Sequence, residues 1–163
     1  MERSDHSDTY YERELRYLKK MDIILLKKEI YGMQLDDKYS LLSSIVVETF
    51  KGVFDKEIVL IEKKIAAQHM GWFKIVFKYI SSNYNIVFES DRDLFNIIIY
   101  DNEGARSKLD GKYDNETNEK NIRNAVLILK NKIDNNDLSF CVVRGHKLYR
   151  KQGDEYIKIK DFT

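Results

Sequence analysis

The stretch WFKIVFKYI, residues 72–80, decides the fold class, because its large apolar side chains recur at every second position. Those positions hold Phe73, Ile75, Phe77 and Tyr79. Such alternation is typical of a β-strand with one buried face. Two more strands are predicted at 86–90 (IVFES) and 94–100 (LFNIIIY), because the turn-forming stretches SSNYN and SDRD precede them. The three segments therefore predict an antiparallel meander.

Toward the N-terminus the apolar residues recur at the spacing of a helix. Thr9 and Glu12 stand at capping-box spacing and predict a first helix over residues 9–31, before Gly32. A second helix is predicted over residues 37–70, with apolar residues at steps of three or four. Its stripe consists of Leu42, Val46, Phe50, Phe54, Ile58, Ile61 and Ile65. The two segments together predict an N-terminal helical hairpin.

The length of the second predicted helix, 37–70, leaves two alternatives open. At about 1.5 Å per residue it would span about 51 Å, whereas a compact chain of this size has a diameter near about 40 Å. Either Gly52 breaks or bends the helix, or the helix protrudes and its stripe needs another cover. In the second case we expect a homodimer through the two N-terminal helices.

The C-terminal half returns to the helix and strand patterns after a polar loop at 101–115. An amphipathic helix is predicted from the apolar positions Ile122, Ala125, Val126, Leu129 and Ile133, and three strands follow in LSFCVV, KLYRK and EYIKIK. The order ααβββαβββ predicts an α+β fold with a mostly antiparallel sheet and one amphipathic helix packed on it. We predict a single domain over 1–163, with a helical part at 1–71 and a sheet-plus-helix part at 72–163.

Composition limits the possible classes of protein. The formal net charge of +1 excludes a globally basic, histone-like protein. Lysine (20) far outnumbers arginine (8) and proline is absent, a bias of A/T-rich codons that makes lysine content a poor sign of nucleic-acid binding. Apolar runs fall far short of the ~20 residues that cross a bilayer, and Cys141 is the only cysteine. We expect a cytoplasmic protein without a membrane partner.

Sequence motifs give no support for an enzyme, and we predict no catalytic residue, no metal site and no cofactor. Glu62 and Lys64 have the E-x-K spacing of metal-dependent nucleases, which requires both residues on one face of a strand. The helical stripe through Ile58, Ile61 and Ile65 instead predicts that they lie on a solvated helix face.

Charge is unevenly distributed along the chain. Residues 84–119 carry nine acidic and four basic side chains, and residues 138–160 carry two acidic and six basic ones. Such a separation of acidic and basic segments can steer partners of opposite charge. We predict an acidic partner surface at Asp101, Glu103, Asp110 and Asp114.

The terminal hairpin is predicted to turn at Gln152-Gly153. That register pairs Leu148 with Ile157, Arg150 with Glu155, Tyr149 with Tyr156 and Lys147 with Lys158. The core side would hold Leu148, Ile157 and Ile159, and the outward face Lys147, Tyr149, Tyr156, Lys158 and Lys160. We predict that this outward face is a binding surface, because a bound anion would relieve the like-charge pair of Lys147 and Lys158.

These patterns lead to three hypotheses about function. The first is a small non-enzymatic binding protein that occludes a macromolecular partner, most simply another protein. It would be of the inhibitor, immunity or anti-defence type of an A/T-rich bacterium, a phage or another mobile element. The alternative is a nucleic-acid-binding protein that uses the basic, aromatic hairpin face. The third is a metal-dependent nuclease at Glu62 and Lys64.

Overall fold

The structure, a computed structural model, describes residues 34–110 and 113–162. The first predicted helix, residues 9–31, lies outside them. The described chain has helix α1 over residues 34–54 and a 3-10 turn at Asp55–Glu57. The other elements are β1 (Ile58–Ala66), β2 (Trp72–Tyr79), β3 (Tyr84–Asp91), β4 (Leu94–Tyr100), β5 (Arg106–Lys108), α2 (Glu119–Asp134), β6 (Cys141–Arg144), β7 (Lys147–Gln152) and β8 (Glu155–Asp161).

All eight strands form one sheet in which each strand pairs antiparallel with the next along the chain. The predicted α+β class and antiparallel pairing are therefore confirmed. The predicted order ααβββαβββ is not: the described elements run αβββββαβββ. The short strand β5 lies within 101–115, which was predicted to be a loop, and β1 lies within the second predicted helix.

The prediction of a helix over 37–70 is wrong beyond Phe54. Helix α1 runs through Gly52 without a break and ends where Asp55 takes a φ of +50°, a left-handed conformation typical of helix ends. Residues 58–66 then form β1, so the helical part does not extend to residue 71. The apolar steps of the predicted stripe cross this boundary by coincidence, and the β-branched run IVLI favours a strand.

Aromatic contacts hold α1 against the sheet. The ring of Phe50 stacks on that of Phe77 in β2 with centroids 4.3 Å apart, and the ring of Phe54 meets that of Tyr79 at 5.5 Å. The stripe of α1 is thus buried within its own chain. The homodimer through the two N-terminal helices was expected only if the stripe of the second helix protruded, and in the described residues that stripe is buried as far as Phe54.

The core lies on one side of the sheet, which we name the core face. Alternate residues of β2, β3 and β4 are buried there, and α2 contributes four further buried residues to the same cluster. The strand residues are Phe73, Ile75, Phe77, Tyr79, Ile86, Phe88, Phe95, Ile97 and Ile99, and those of α2 are Ile122, Ala125, Val126 and Leu129. The intervening strand residues form the opposite side, which we name the open face. In the described ranges, no helix combines the length and the apolar character that crossing a membrane requires.

A tyrosine joins α1 to two turns of the sheet. The hydroxyl of Tyr39 donates to the carboxylate of Asp93 at 2.9 Å, and the Lys38 ammonium donates to the same oxygen at 3.0 Å. Burial opposes ionisation of Asp93, but these two donors outweigh it and lower the pKa of the carboxyl group. The Tyr39 ring lies against Gly71, whose φ is +76°. A Cβ atom at residue 71 would stand 2.0 Å from Cζ of Tyr39.

Two glycine substitutions should therefore change stability in opposite directions. We expect Gly71→Ala to lower the free energy of unfolding by about 1–3 kcal/mol, because it overpacks Tyr39 and strains a left-handed backbone. Gly52→Ala should raise it by about 0.5–1 kcal/mol, because Gly52 is inside a helix with open space around it. Urea denaturation of both variants measures the two changes. Equal effects would contradict this account of residue 71.

Candidate functional site

The predicted acidic and basic surfaces meet within the chain. The Lys151 ammonium in β7 lies 3.0 Å from a carboxylate oxygen of Asp101 and 3.1 Å from one of Glu103. The hydroxyl of Tyr156 in β8 donates to the same Glu103 oxygen, Oε2, at 2.7 Å. We name Asp101, Glu103, Lys151 and Tyr156 the Lys151 network. Part of the charge polarity seen in the sequence is thus neutralised intramolecularly.

Asp101 is a structural residue of the β4–β5 turn. Its side chain is only 5% exposed, and its Oδ1 accepts the backbone N–H groups of Glu103 at 3.0 Å and Ala105 at 2.8 Å. Its Oδ2 accepts from Lys151. A carboxylate with these partners is buried without an unsatisfied charge. We infer that Asp101 holds the turn and is not available to an external partner.

The Lys151 network joins two parts of the sheet at their narrowest connection. β5 and β6 share a single residue pair, Arg106 with Cys141, whereas β6 and β7 share four pairs. The last three strands therefore depend on contacts other than the β5–β6 ladder. These include the network and the contact of Phe140 with Tyr84, whose ring centroids are 5.2 Å apart.

Hydrogen bonds within the Lys151 network shift the pKa values of three of its members. The bond from Tyr156, with the Lys151 ammonium beside it, lowers the pKa of Glu103 below its ordinary value of 4.5. The same bond raises the pKa of Tyr156 above 10.0. Bonds to Asp101 and then Glu103 raise the pKa of Lys151 well above 10.5. At neutral pH these bonds therefore favour the charged forms of Lys151 and Glu103 and the neutral form of Tyr156.

The hairpin register differs from the prediction by two residues. Gln152 pairs with Glu155, Lys151 with Tyr156 and Tyr149 with Lys158, so the turn is at Gly153-Asp154. Lys147 pairs with Asp161 and not with Lys158, so the predicted like-charge pair does not form. Nor do Ile157 and Ile159 join the core, because they are 47% and 45% exposed.

Four of the five predicted hairpin residues do share one face of the sheet. Alternation along β7 and the observed pairs bring Lys147, Tyr149, Tyr156 and Lys158 together, while Lys160 pairs with Leu148 on the other face. Several of these side chains already have partners within the chain. The Arg144 guanidinium lies 4.2 Å from the centre of the Tyr156 ring, and Lys158 lies 2.7 Å from Asp161. The face is less free than the sequence indicates.

The four predicted acidic residues are divided between two places. Asp101 and Glu103 follow β4, while Asp110 and Asp114 follow β5, which returns along β4 toward its start. Asp110 pairs with Lys132 of α2 at 3.1 Å. Asp114 accepts the backbone N–H of Glu116 at 3.0 Å. The structure does not bring the four carboxylates together in one surface.

The E-x-K pair lies on a strand, which corrects the predicted helix face. Glu62 and Lys64 of β1 pair with Val76 and Lys74 of β2 and point to the open face. The Lys64 ammonium lies 2.6 Å from the Glu62 carboxylate, and this bond lowers the carboxyl pKa. The nuclease hypothesis requires Glu62 and Lys64 to lie on one face of a strand, and they do. Among the described residues, however, no three metal-ligating side chains come together near it.

The open face has a central apolar row that was not predicted from the sequence. Val76, Val87 and Ile98 stand directly opposite one another on β2, β3 and β4, and each is partly exposed. In WFKIVFKYI, Val76 is an apolar residue between two lysines on the outward side of the strand. That residue alone does not predict an apolar row, because the row also needs apolar residues at the paired positions of the neighbouring strands.

Polar rows flank this apolar row on both sides. One row runs from Lys74 through Glu89 to Asn96, and Glu89 also accepts the indole N–H of Trp72 at 2.7 Å. The other row crosses four strands and consists of Lys78, Asn85, Tyr100 and Arg106. The open face thus has an apolar centre and a charged or aromatic rim.

Comparison of the chain with protein-family models, with curated proteins and with solved structures finds no match.

Removing the carboxylate of Asp101 should destabilise the chain. We expect Asp101→Ala to lower the free energy of unfolding by about 1–3 kcal/mol, because it leaves buried backbone N–H groups without an acceptor. Asp110→Asn is the matched control, since the Asp110 side chain is 86% exposed and surface changes stay within about 0.5 kcal/mol. Urea denaturation at neutral pH measures both. Similar losses in the two variants would contradict the role of Asp101.

Acid should weaken the Lys151 network. The pKa of Glu103 is lower in the folded state, so its stabilising contribution is complete above pH 4.5 and is lost as pH falls through the folded-state pKa. We expect Glu103→Gln to remove that part of the acid sensitivity. Glu155→Gln, at the turn of the same hairpin, should retain it. Hydrogen exchange of the β7 and β8 amides across this pH range tests the difference, and identical profiles for both variants would contradict it.

Proposed function

We propose that this chain is a non-enzymatic binding protein that covers the surface of a protein partner with its open face. The observation that carries the proposal is the partly exposed row of Val76, Val87 and Ile98, on the side of the sheet opposite the core. An apolar centre within a polar rim is the arrangement found in protein–protein interfaces.

The side-chain chemistry of this face supports a protein partner over a nucleic acid. Bases are bound by aromatic rings on which they stack and by cations that follow the phosphates. The centre of the open face is aliphatic, and the indole N–H of Trp72 is already engaged by Glu89. Lys74 pairs with Glu89 across the strands, so the rim has mixed charge.

The hairpin gives weaker support for nucleic-acid binding than its sequence indicates. Tyr156 is covered by Arg144 and bonded to Glu103, and Lys158 is paired with Asp161. Binding of bases there would first have to displace these contacts. We therefore retain nucleic-acid binding through the hairpin as the alternative and place the contact surface on the open face.

Occlusion of a larger protein is the mode of action that we propose. At about 4.8 Å between strands, eight strands make a sheet about 35 Å across, which is wide enough to contain a standard interface of about 800 Å² per partner. A rigid sheet of this width can block an active site or a docking surface without chemistry of its own. This is the action expected of an inhibitor, immunity or anti-defence protein.

Charged substitutions in the apolar row test the proposal. We expect Val87→Lys with Ile98→Lys to lower retention of a partner from native lysate at least tenfold, about 1.4 kcal/mol, because two interface side chains would bury charge. Both residues face solvent in part, so folding should persist, and circular dichroism checks it.

The matched control is Lys147→Glu with Lys158→Glu in the hairpin, which should leave retention unchanged. Loss of retention in this control alone would contradict the open face as the contact surface. It would instead favour the hairpin, and retention of nucleic acid that falls with salt would identify that alternative. No retained protein with the wild-type chain would refute the proposed function itself.

A further inference from the structure

Strand β1 forms one edge of the sheet and carries exposed apolar side chains. It is nine residues long, and among the described strands only β2 pairs with it. Val59, Ile61 and Ile65 are 45%, 59% and 39% exposed, and Leu60 is 37% exposed. An edge strand presents a row of backbone N–H and C=O groups that can pair with another strand. A long edge strand with exposed apolar side chains can therefore accept an extended segment.

Natural edge strands are usually kept from pairing by prolines, bulges or charges. β1 has no proline, and its register with β2 shifts between Leu60 and Glu62, at Ile61. Its charges are confined to Glu62, Lys63 and Lys64 at the centre of the strand. Charges of one sign would repel a second copy of the strand, but this group contains both signs. The arrangement is self-complementary.

We propose that β1 pairs antiparallel with β1 of a second copy of this chain, about a twofold axis through Lys63. In this register Glu62 lies opposite Lys64 of the other copy, and the pairing occurs twice because of the symmetry. Ile61 lies opposite Ile65, also twice. Opposite charges and apolar residues facing each other stabilise a strand pair. The two sheets would join into one continuous sheet.

The neighbouring register, centred on Glu62, is less favourable. It sets Leu60 opposite Lys64 and Ile61 opposite Lys63, so apolar side chains face charges, and it places the two Glu62 carboxylates together. In the proposed register the one unfavourable contact is between the two Lys63 side chains on the axis. Its three central pairs also lie on the regular side of the irregularity at Ile61.

The other edge of the sheet, β8, is less suited to self-pairing. Pairing of two β8 strands about Lys158 would set Ile157 opposite Ile159, but it would also set Glu155 opposite Asp161 twice. Like charges opposite one another destabilise a strand pair. In these registers charge complementarity favours β1 as the edge that a second copy covers.

Charge reversal at two positions gives a specific test of the register. Lys64→Glu makes positions 62 and 64 both acidic, and Glu62→Lys makes both basic. In either homodimer these positions would repel, so we expect each variant alone to dissociate at least tenfold more readily than wild type. An equimolar mixture should form a heterodimer, because every 62–64 contact between the copies is then attractive. Sedimentation equilibrium of the full chain measures all three states.

A third variant distinguishes the proposed axis from general charge effects. Lys63→Gln removes the like-charge contact on the axis and should tighten the dimer several-fold, whereas Lys74→Gln on β2 should leave the dimer unchanged. Circular dichroism establishes that each variant is folded.

Three results would overturn the proposal. The first is that the wild type is monomeric at every soluble concentration. The second is that each single variant forms a dimer as stable as that of the wild type. The third is that an equimolar mixture of the two variants does not form a heterodimer. A monomer would also be the result if another part of the same chain covered β1. None of these measurements depends on a partner of the open face, so this proposal and the proposed function can fail separately.

Discussion

The stacking of Phe50 on Phe77 determines which side of the sheet becomes the interior. The two rings lie 4.3 Å apart and neither is exposed, so α1 is fixed against β2 at the position where the sheet carries its largest side chains. Once α1 occupies that side, the alternation of every strand assigns its other residues to the open face. The rim of that face and its apolar row follow from this placement.

The sequence predicted the central strands well because their signal is local. In β2 the alternation of Phe73, Ile75 and Phe77 with lysines has one simple interpretation, and α2 has an equally clear period with Asn118 as its cap. The end of α1 was missed because Ile58, Ile61 and Ile65 keep a helical spacing while lying in a strand. Residues 52–58 contain no proline, and the conformation of Asp55 that ends the helix has no strong sequence signal.

The candidate site was less predictable, because it depends on register and on contacts between distant residues. Glu103 of the predicted acidic surface and Tyr156 of the predicted hairpin face bond to each other, and Asp101 binds Lys151, which was not among the predicted residues. A sequence shows that Glu103 and Tyr156 differ from their surroundings; it does not show that they bond at 2.7 Å. The two-residue change in hairpin register has a similar origin, since Gly153 can occupy either central position of the turn.

The strictly sequential order of the strands has a consequence for how the chain assembles. Each strand finds its partner a few residues away, except where α2 separates β5 from β6. Local pairing of this kind keeps loop-closure costs small and favours rapid folding for a β-rich protein. During synthesis, β1–β5 can form a sheet on α1 before the C-terminal strands exist. The late strands then join the β5 edge through one ladder pair, the Lys151 network and the contact of Phe140 with Tyr84. Because the backbone ladder is shortest at this seam, we expect the folded chain to open there first.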